Sequence, residues 1–390
     1  MTPTLNLVPT EDEIAIRESV RALCAKFDDG YPRRKFDAGE PATELWDALA
    51  GAGYTGILVP QEWGGGGAGM TELAIVIEEV FKGTGTLPAA MVVSAAVAGP
   101  LLAKHGTQEQ KERWLRKMAD GTFMMAFAIT EPDAGSNSHE LRTTLRRNPD
   151  GGYLLSGQKV FISGVESADA VLVVARFRND DGTLGLPTLC VVDVDCEGFT
   201  RQPIAMQFIA PERQWQLFFD NVQVDADRLI GGENGGLAAV FDGLNPERIA
   251  GAAGCIGIGW RALEKAAAYA KERNVWGVPI GQHQGIAHPL AEAKIGLELA
   301  ALMTQKAAAL QDAGAPGAGE TANIAKYSAA EAAIKAIDTA VQVHGGNGLT
   351  LEYGISDLYW FARLARIAPV SREMILNYVA QHSLKLPKSY

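Results

Sequence analysis

Phe127-Ala128-Ile129-Thr130-Glu131-Pro132-Asp133-Ala134-Gly135-Ser136, with its echo Gly157-Gln158-Lys159-Val160-Phe161-Ile162-Ser163, is the stretch on which the reading of this chain turns. It begins inside an apolar run that starts at Phe123 and breaks at Pro132 and Gly135, the pattern of a buried strand running out into a turn. Past the strand end, Thr130 and Ser136 offer hydroxyls. Gly135 has no Cβ to keep backbone N–H groups away from a bound anion or the polar edge of an aromatic ring. Taken alone, such a decapeptide reads better as a strand and a polar turn than as a binding site, so its surroundings have to decide.

Upstream, the chain reads as helical. Apolar residues recur among charges at helical spacing from Glu11 to Phe27, and a second helix is predicted over 41–52. The glycine-rich loop from Pro60 to Gly67 lacks the Gly-Lys-Ser/Thr ending of a phosphate loop and reads as a turn between helices. An apolar stretch between Thr71 and Phe81 and the nearly all-apolar segment from Leu87 to His105 predict buried helices. Thr107, three residues before Gln110, predicts a capping box at the start of a helix that runs to Met118.

From about Thr122 to Gly232 the pattern changes to short runs of β-formers: Tyr153 to Leu155, Lys159 to Ile162, Val171 to Ala175, Leu189 to Val194 and Trp215 to Phe219. Asp150-Gly151-Gly152 and Asp181-Gly182 read as turns. Cys190 and Cys196 are expected on one face of one strand, too far apart to bond to each other. After Gly236 the helical period returns. Gly251, Gly254, Gly257 and Gly259 follow no strand and lack the Gly-x-Gly-x-x-Gly spacing, so they predict close packing of helices rather than a dinucleotide fold. Long helices are predicted over 288–313 and 319–344, and Pro369 precedes a last one from Ser371 to about Leu384. The expected fold class is α+β: an N-terminal all-α domain over 1–121, a middle β-barrel-like domain over 122–232 and a C-terminal four-helix bundle over 233–390.

Composition bounds the function. The 390 residues are 47% hydrophobic with a net charge of -11, enough for a large core in two or three domains. That charge, with no basic stripe, argues against nucleic acid as a partner. No apolar run reaches the length of a membrane span, and Met1 to Thr10 lack a basic start and an apolar stretch, so a cytoplasmic protein is expected. The four cysteines (Cys24, Cys190, Cys196, Cys255) show no metal spacing and no disulfide framework.

Several motifs agree in order and spacing. Besides the two above they are Asn245-Pro246-Glu247-Arg248, Arg273-Asn274-Val275-Trp276-Gly277, Gln282-His283-Gln284 and Gln342-Val343-His344-Gly345-Gly346-Asn347-Gly348. Over essentially its whole length the chain resembles the acyl-CoA dehydrogenase family. The resemblance implies noncovalent FAD between the β domain and the last helical domain, and removal of two hydrogens from the α and β carbons of an acyl-CoA. It places Phe127, Ile129, Thr130, Gly135 and Ser136 along the flavin and its pyrophosphate, with Ser136 also near CoA. Phe161 and Ser163 would cover the ring near N5, Phe161 standing where the family often has Trp. Arg273 suits the pyrophosphate, Trp276 packs against the cofactor, and Gln284 joins the same site. Gln342, Gly345 and Gly346 resemble the segment that reaches the FAD of a neighbouring subunit, which implies a homo-oligomer, a tetramer or a dimer. No metal is implied.

The chemistry also needs a carboxylate for the α proton. One branch of the family carries it near the C-terminus in a Tyr-Glu-Gly-Thr pattern, where this chain reads Ile367-Ala368-Pro369-Val370-Ser371. The branch that includes isovaleryl-CoA and long-chain enzymes carries it in a Glu-Arg pair, which Glu247-Arg248 matches. Glu247 is the expected base, Arg248 orients base or substrate, and Asn245 contacts CoA. An electron-transfer flavoprotein is the expected acceptor. The alternatives are an oxygen-using oxidase or flavin monooxygenase of the same fold, or a silent partner subunit. Small residues Ala95, Ala96, Ala98 and Gly99 suggest a deep acyl pocket, and the aromatics of Leu358 to Arg363 a subunit contact.

Overall fold

The protein, described here from a computed structural model, is defined over residues 8–388. Helix α1 (Glu11–Cys24) opens on a reciprocal cap: the Glu13 N–H donates to Thr10 Oγ1 at 3.2 Å and the Thr10 N–H to Glu13 Oε2 at 2.8 Å. Two amides that a helix start leaves without partners are thereby satisfied. Short helices α2 (Tyr31–Ala38) and α3 (Thr43–Gly51) follow, joined to α4 (Met70–Thr84) by the compact turn around Gln61–Trp63. Helix α4 is buried on most sides, with Leu73, Val76, Ile77 and Val80 at 0% exposure. The segment predicted as one helix over 87–105 changes winding: a π-type stretch, Met91–Ala98, runs into α5 (Gly99–His105). The Gly99 N–H reaches back five residues to the Ser94 carbonyl, next to Pro100, which has no N–H to offer. Helix α6 (Gln108–Ala119) carries the Thr107–Gln110 capping box.

The middle of the chain forms one sheet. Strands β1 (Met125–Ala128), β2 (Thr144–Arg147), β3 (Tyr153–Ser163), β4 (Ala170–Arg178), β5 (Leu184–Asp193), β6 (Phe199–Ile204), β7 (Gln214–Val224) and β8 (Leu229–Ile230) pair in the order β6-β7-β3-β2-β4-β5-β8, with β1 parallel to β4. Strand β4 shows why the sheet sits where it does. Leu172 and Val174 face helices α5 and α6, while Val171, Val173 and Ala175 face the domain's own interior, so the two-residue period divides one strand between two cores. The two runs expected over 153–162 are a single strand, β3, with register shifts after Leu155 and after Lys159. The expectation for the cysteines is corrected: β5 ends at Asp193 and leaves Cys196 in the following turn, so Cys190 and Cys196 do not share a strand.

The rest is helical apart from a small hairpin. Helix α7 (Gly236–Glu272) leads to strands β9 (Asn274–Val275) and β10 (Val278–Pro279), then to α8 (Gln284–Asp312), α9 (Ala318–His344), α10 (Asp357–Leu364) and α11 (Arg372–Tyr378). Alanines such as Ala325, Ala329 and Ala333, all at 0% exposure, let α9 lie close to its neighbours. Of the four α7 glycines singled out in the sequence, Gly251, Gly254, Gly257 and Gly259, three do what is expected of them. A Cβ on Gly257 would stand 2.2 Å from the Glu78 carbonyl oxygen of α4, one on Gly254 2.8 Å from the Phe81 ring, and one on Gly259 2.5 Å from Leu297 of α8. Gly251 is different, with only Pro369 within reach, at 3.9 Å. The end of α8 also caps α4: Asp312 accepts from the Met70 N–H at 2.6 Å and the Thr71 N–H at 3.0 Å. Among the described residues, no helix is long and apolar enough to cross a membrane and no cluster of side chains has a metal-binding arrangement.

Candidate active site

Glu247 lies in the twelfth position of α7 and opens onto a cleft of about 190 Å³. Three parts of the chain build its walls: Leu87, Val92 and Val93 before and within the π-type stretch, the segment from Phe208 to Gln214 with Ser163, and Phe361 of α10 with Pro369. The walls near Glu247 are apolar, and burial drives its carboxyl up to about 7, against the pull of Arg248 and Lys326. A glutamate so placed is half-ionised near neutrality, which suits it to take a proton from a weak carbon acid. Arg248 does not pair with it. Adjacent residues point about 100° apart around a helix, and the guanidinium donates to Asn245 Oδ1 at 3.0 Å. Ala368 and Pro369, at the position where the other branch carries its base, line the same cleft, so the two alternative positions converge on one space.

The loop after β1 is stapled down from below. Glu131 accepts from the backbone N–H groups of Arg142 (2.6 Å) and Thr143 (3.0 Å) and from Lys159 Nζ (2.8 Å). Lys159, at 0% exposure, also donates to the Ile129 carbonyl at 2.8 Å. Burial pushes the Glu131 carboxyl up, but the Lys159 charge and the amide bonds outweigh it and hold it below the usual range. The Val160 N–H donates to the Thr130 carbonyl at 3.0 Å, so the loop and β3 form one surface. On that surface Gly135 and Ser136 are exposed, Ile129 and Thr130 half-buried, and Ser163 accepts from Gln214 Nε2 at 2.7 Å. Phe161 stands out with 56% of its surface exposed and a φ of 58°, a conformation an aromatic residue adopts only when its surroundings impose it. Phe127 is 7% exposed and packed in the core between helices and sheet. It can offer a ligand only its backbone.

The remaining candidates lie elsewhere. Arg273 closes α7 at its far end, and the 26 residues from 247 to 273 (273 − 247) at about 1.5 Å each put about 39 Å between Glu247 and Arg273. There Trp276 and Gly277 make the two-residue turn of the β9–β10 hairpin with φ of 53° and 83°. Trp276 is 88% exposed, its ring edge-on to His283 at 5.7 Å. The buried His283 Nε2 has no partner. Gln284 is exposed at the start of α8. The 345–349 turn joins this end through Tyr269, which stacks on His344 at 4.4 Å and accepts from Asn347 Nδ2 at 3.2 Å. Gln342, Gly345 and Gly346 are exposed, and nothing comes within 4 Å of where a Cβ would sit on either glycine.

The chain matches family models for the N-terminal domain of acyl-CoA dehydrogenases over residues 10–122, the middle domain over 126–222 and the C-terminal domain over 234–384. It belongs to the acyl-CoA dehydrogenase family. It is 52% identical to the acyl-CoA dehydrogenase FadE12 of Mycobacterium tuberculosis over 100% of both chains. It is 34% identical to a 3-(aryl)acrylate reductase of Clostridium sporogenes, covering 96% of this chain and 99% of the other. The structure of butyryl-CoA dehydrogenase from Megasphaera elsdenii superimposes with a TM-score of 0.91 at 28% identity, over 97% of this chain and 100% of that one. The acyl-CoA dehydrogenase is thus an FAD-dependent oxidoreductase with the three-part fold expected of it.

The residues present fit FAD. Thr130, Ser136 and Ser163 supply hydroxyls, the exposed backbone at Gly135, Gly345 and Gly346 admits close approach, and Arg273 has no carboxylate partner among the described residues. The exposed Trp276 and the unsatisfied His283 nitrogen lie beside it.

One expectation is corrected by the cleft. Ala95, Ala96 and Ala98 do not line it; they are at most 6% exposed, because their faces of the π-type stretch turn inward. Phe361 lies on the cleft wall, its ring meeting Phe81 at 4.2 Å and Phe208 at 6.1 Å, while Trp360 is exposed. Sequence reasoning also missed Glu212, Lys326 and the Glu131–Lys159 staple. Only the staple had a visible signal, two charges inside the quoted motifs.

Proposed function

We propose that this acyl-CoA dehydrogenase converts an acyl-CoA thioester to the trans-2-enoyl-CoA in the cleft at Glu247. The observation that carries the reading is a glutamate held near neutral pKa on a largely apolar wall of the cleft, with no carboxyl at 367–371, where the other branch of the family carries its base. Glu247 takes the α proton as the thioester acidifies it, and the closing of the cleft by the acyl chain removes water from around the carboxylate. FAD, when bound, supplies the acceptor for the β hydride at N5. Phe161 and Ser163 would hold its ring, and Ile129, Thr130, Gly135 and Ser136 would hold the remainder. Asn245 and Arg248, bonded to each other one turn from the base, bind the CoA portion together with Ser136.

Arg273, at the far end of α7 with Trp276, Gln284, Gln342, Gly345 and Gly346 on the elements that meet it there, lies too far from the cleft at Glu247 for these residues to share one FAD with Thr130 and Ser163 of the same chain. The reading therefore includes a homo-oligomer, in which they complete the site of a second copy. It also takes an electron-transfer flavoprotein as the acceptor and the cytoplasm as the location.

Anaerobic titration of the holoenzyme with a panel of acyl-CoAs, followed by flavin absorbance, tests it. Bleaching by a subset of thioesters is expected. A yellow protein that none of them bleaches would sink the dehydrogenase assignment, and peroxide release during turnover would replace the flavoprotein acceptor with oxygen.

A further inference from the structure

The cleft at Glu247 has an unusual balance of charge. Its lining includes three carboxyls, Glu247, Glu212 and Asp357, and no lysine, arginine or histidine. Asp357 has a cation nearby, Arg33 at 3.8 Å. Glu212 has none. It is 8% exposed, and the groups that favour its charged form are backbone N–H groups, among them those of Ala42 and Ala89. The neighbouring Arg213 turns its guanidinium to the Gly39 carbonyl at 3.3 Å. The charged group that acts on it, Glu166, is itself acidic; it accepts from the Arg213 N–H and from Trp215 Nε1, both at 2.6 Å.

Burying a carboxyl without a cation is costly, and backbone amides alone could be served by a neutral oxygen. Burial raises this one to about 7, so it stays able to accept a hydrogen bond in either state. Its position matters as much as its isolation. The wall formed by Phe208, Ala210, Glu212 and Gln214 faces the cleft on one side and an adjoining hollow near Pro203 and Met206 on the other. It is contributed by the loop between β6 and β7, a different element from the helix that carries Glu247.

We propose that Glu212 is a specificity residue for the acyl group: the cleft selects acyl-CoAs that carry a hydrogen-bond donor, a hydroxyl or a protonated amine, at the distal end of the acyl chain, and rejects those that end in a carboxylate. The inference rests on the reading of this cleft as the acyl site. A donor there meets the one polar group of the far wall that lacks a partner of opposite charge. A terminal carboxylate there meets the Glu212 carboxyl with no cation beside it to offset the repulsion. A plain alkyl end leaves Glu212 buried and without a ligand.

The test is calorimetric binding of 2-enoyl-CoA products to the oxidised holoenzyme, which cannot dehydrogenate them further, so the readout does not depend on Glu247 acting as a base. Matched thioesters ending in methyl, hydroxyl, amine or carboxylate are compared through a chain-length series. At the length that reaches Glu212, the hydroxyl or amine member is expected to bind about tenfold tighter than the methyl member, and the carboxylate member at least about tenfold weaker. The two donor arms tell a neutral from a charged donor. In Glu212→Leu the donor preference should vanish. In Glu212→Gln, which keeps an acceptor for the backbone amides, it should shrink and the carboxylate should be tolerated better. Equal affinity of methyl and donor members at every length, or a preference that Glu212→Leu leaves unchanged, would overturn the proposal. If every member, methyl included, fails to bind, the cleft is not the acyl site and the proposal falls with that reading.

Discussion

Replacing Glu247 with glutamine probes chemistry and stability in a single change, because the amide keeps the size of the side chain and removes only its titration. In the unfolded chain this carboxyl loses its proton near 4.5, whereas burial in the cleft delays the loss to about 7. Between those values the folded state binds more protons than the unfolded one, so the stability linked to Glu247 is fully present below 4.5 and is lost as pH rises to about 7. At about 1.36 kcal/mol for each tenfold change, the loss comes to about 3 kcal/mol. Glu247→Gln escapes it. Relative to the wild type, the variant should gain about 3 kcal/mol between pH 4.5 and 7 in urea unfolding of the holoenzyme. Glu212 titrates in the same range in both proteins and cancels from the difference. Activity should move the opposite way. The variant's kcat should fall by about 10³, and wild-type kcat/KM should rise with pH through about 7 as the carboxylate forms. A stability difference that stays flat over this window, or a variant within about tenfold of wild-type turnover, would refute the assignment.

Other consequences are more local. Gly257→Ala puts a Cβ 2.2 Å from the Glu78 carbonyl oxygen. Helices α4 and α7 must part, and a loss of about 1–3 kcal/mol is expected by urea denaturation; a neutral result would mean that the helices do not cross there as described. Lys159→Met leaves Glu131 buried without its cation and should cost about 3–5 kcal/mol, while adding Glu131→Gln should recover much of it. A double variant no better than the single one would show that the pair is not what holds the loop. Arg273→Ala should weaken FAD retention by about tenfold or more after gel filtration while leaving the melting of the apoprotein within a degree or two of wild type. Full flavin content would remove Arg273 from the cofactor site.

Much of this molecule was legible in local sequence because the relevant physics is local. Thr10 and Thr107 mark helix starts because a hydroxyl and a side chain three residues on can close a cap without help from the rest of the chain. The run of β-formers in β4 and the spacing of Gly254, Gly257 and Gly259 also showed in the sequence, since each reflects a local preference or the bare need for room. The family motifs carried the candidate residues for the same reason: a strand end, a glycine and a hydroxyl lie within a few residues of one another. Other features were decided only in three dimensions. Phe361 became a cleft wall and Ala96 a packing residue because helix rotation, which neighbours set, decides which way each side chain points. Glu212 gave no signal at all, as its meaning comes from Ala42, Ala89 and Glu247 brought to it from distant positions. The separation of Glu247 from Arg273 also needed the structure, for it is the continuation of one 37-residue helix, Gly236–Glu272, that carries the chain away from the base before Arg273 is reached.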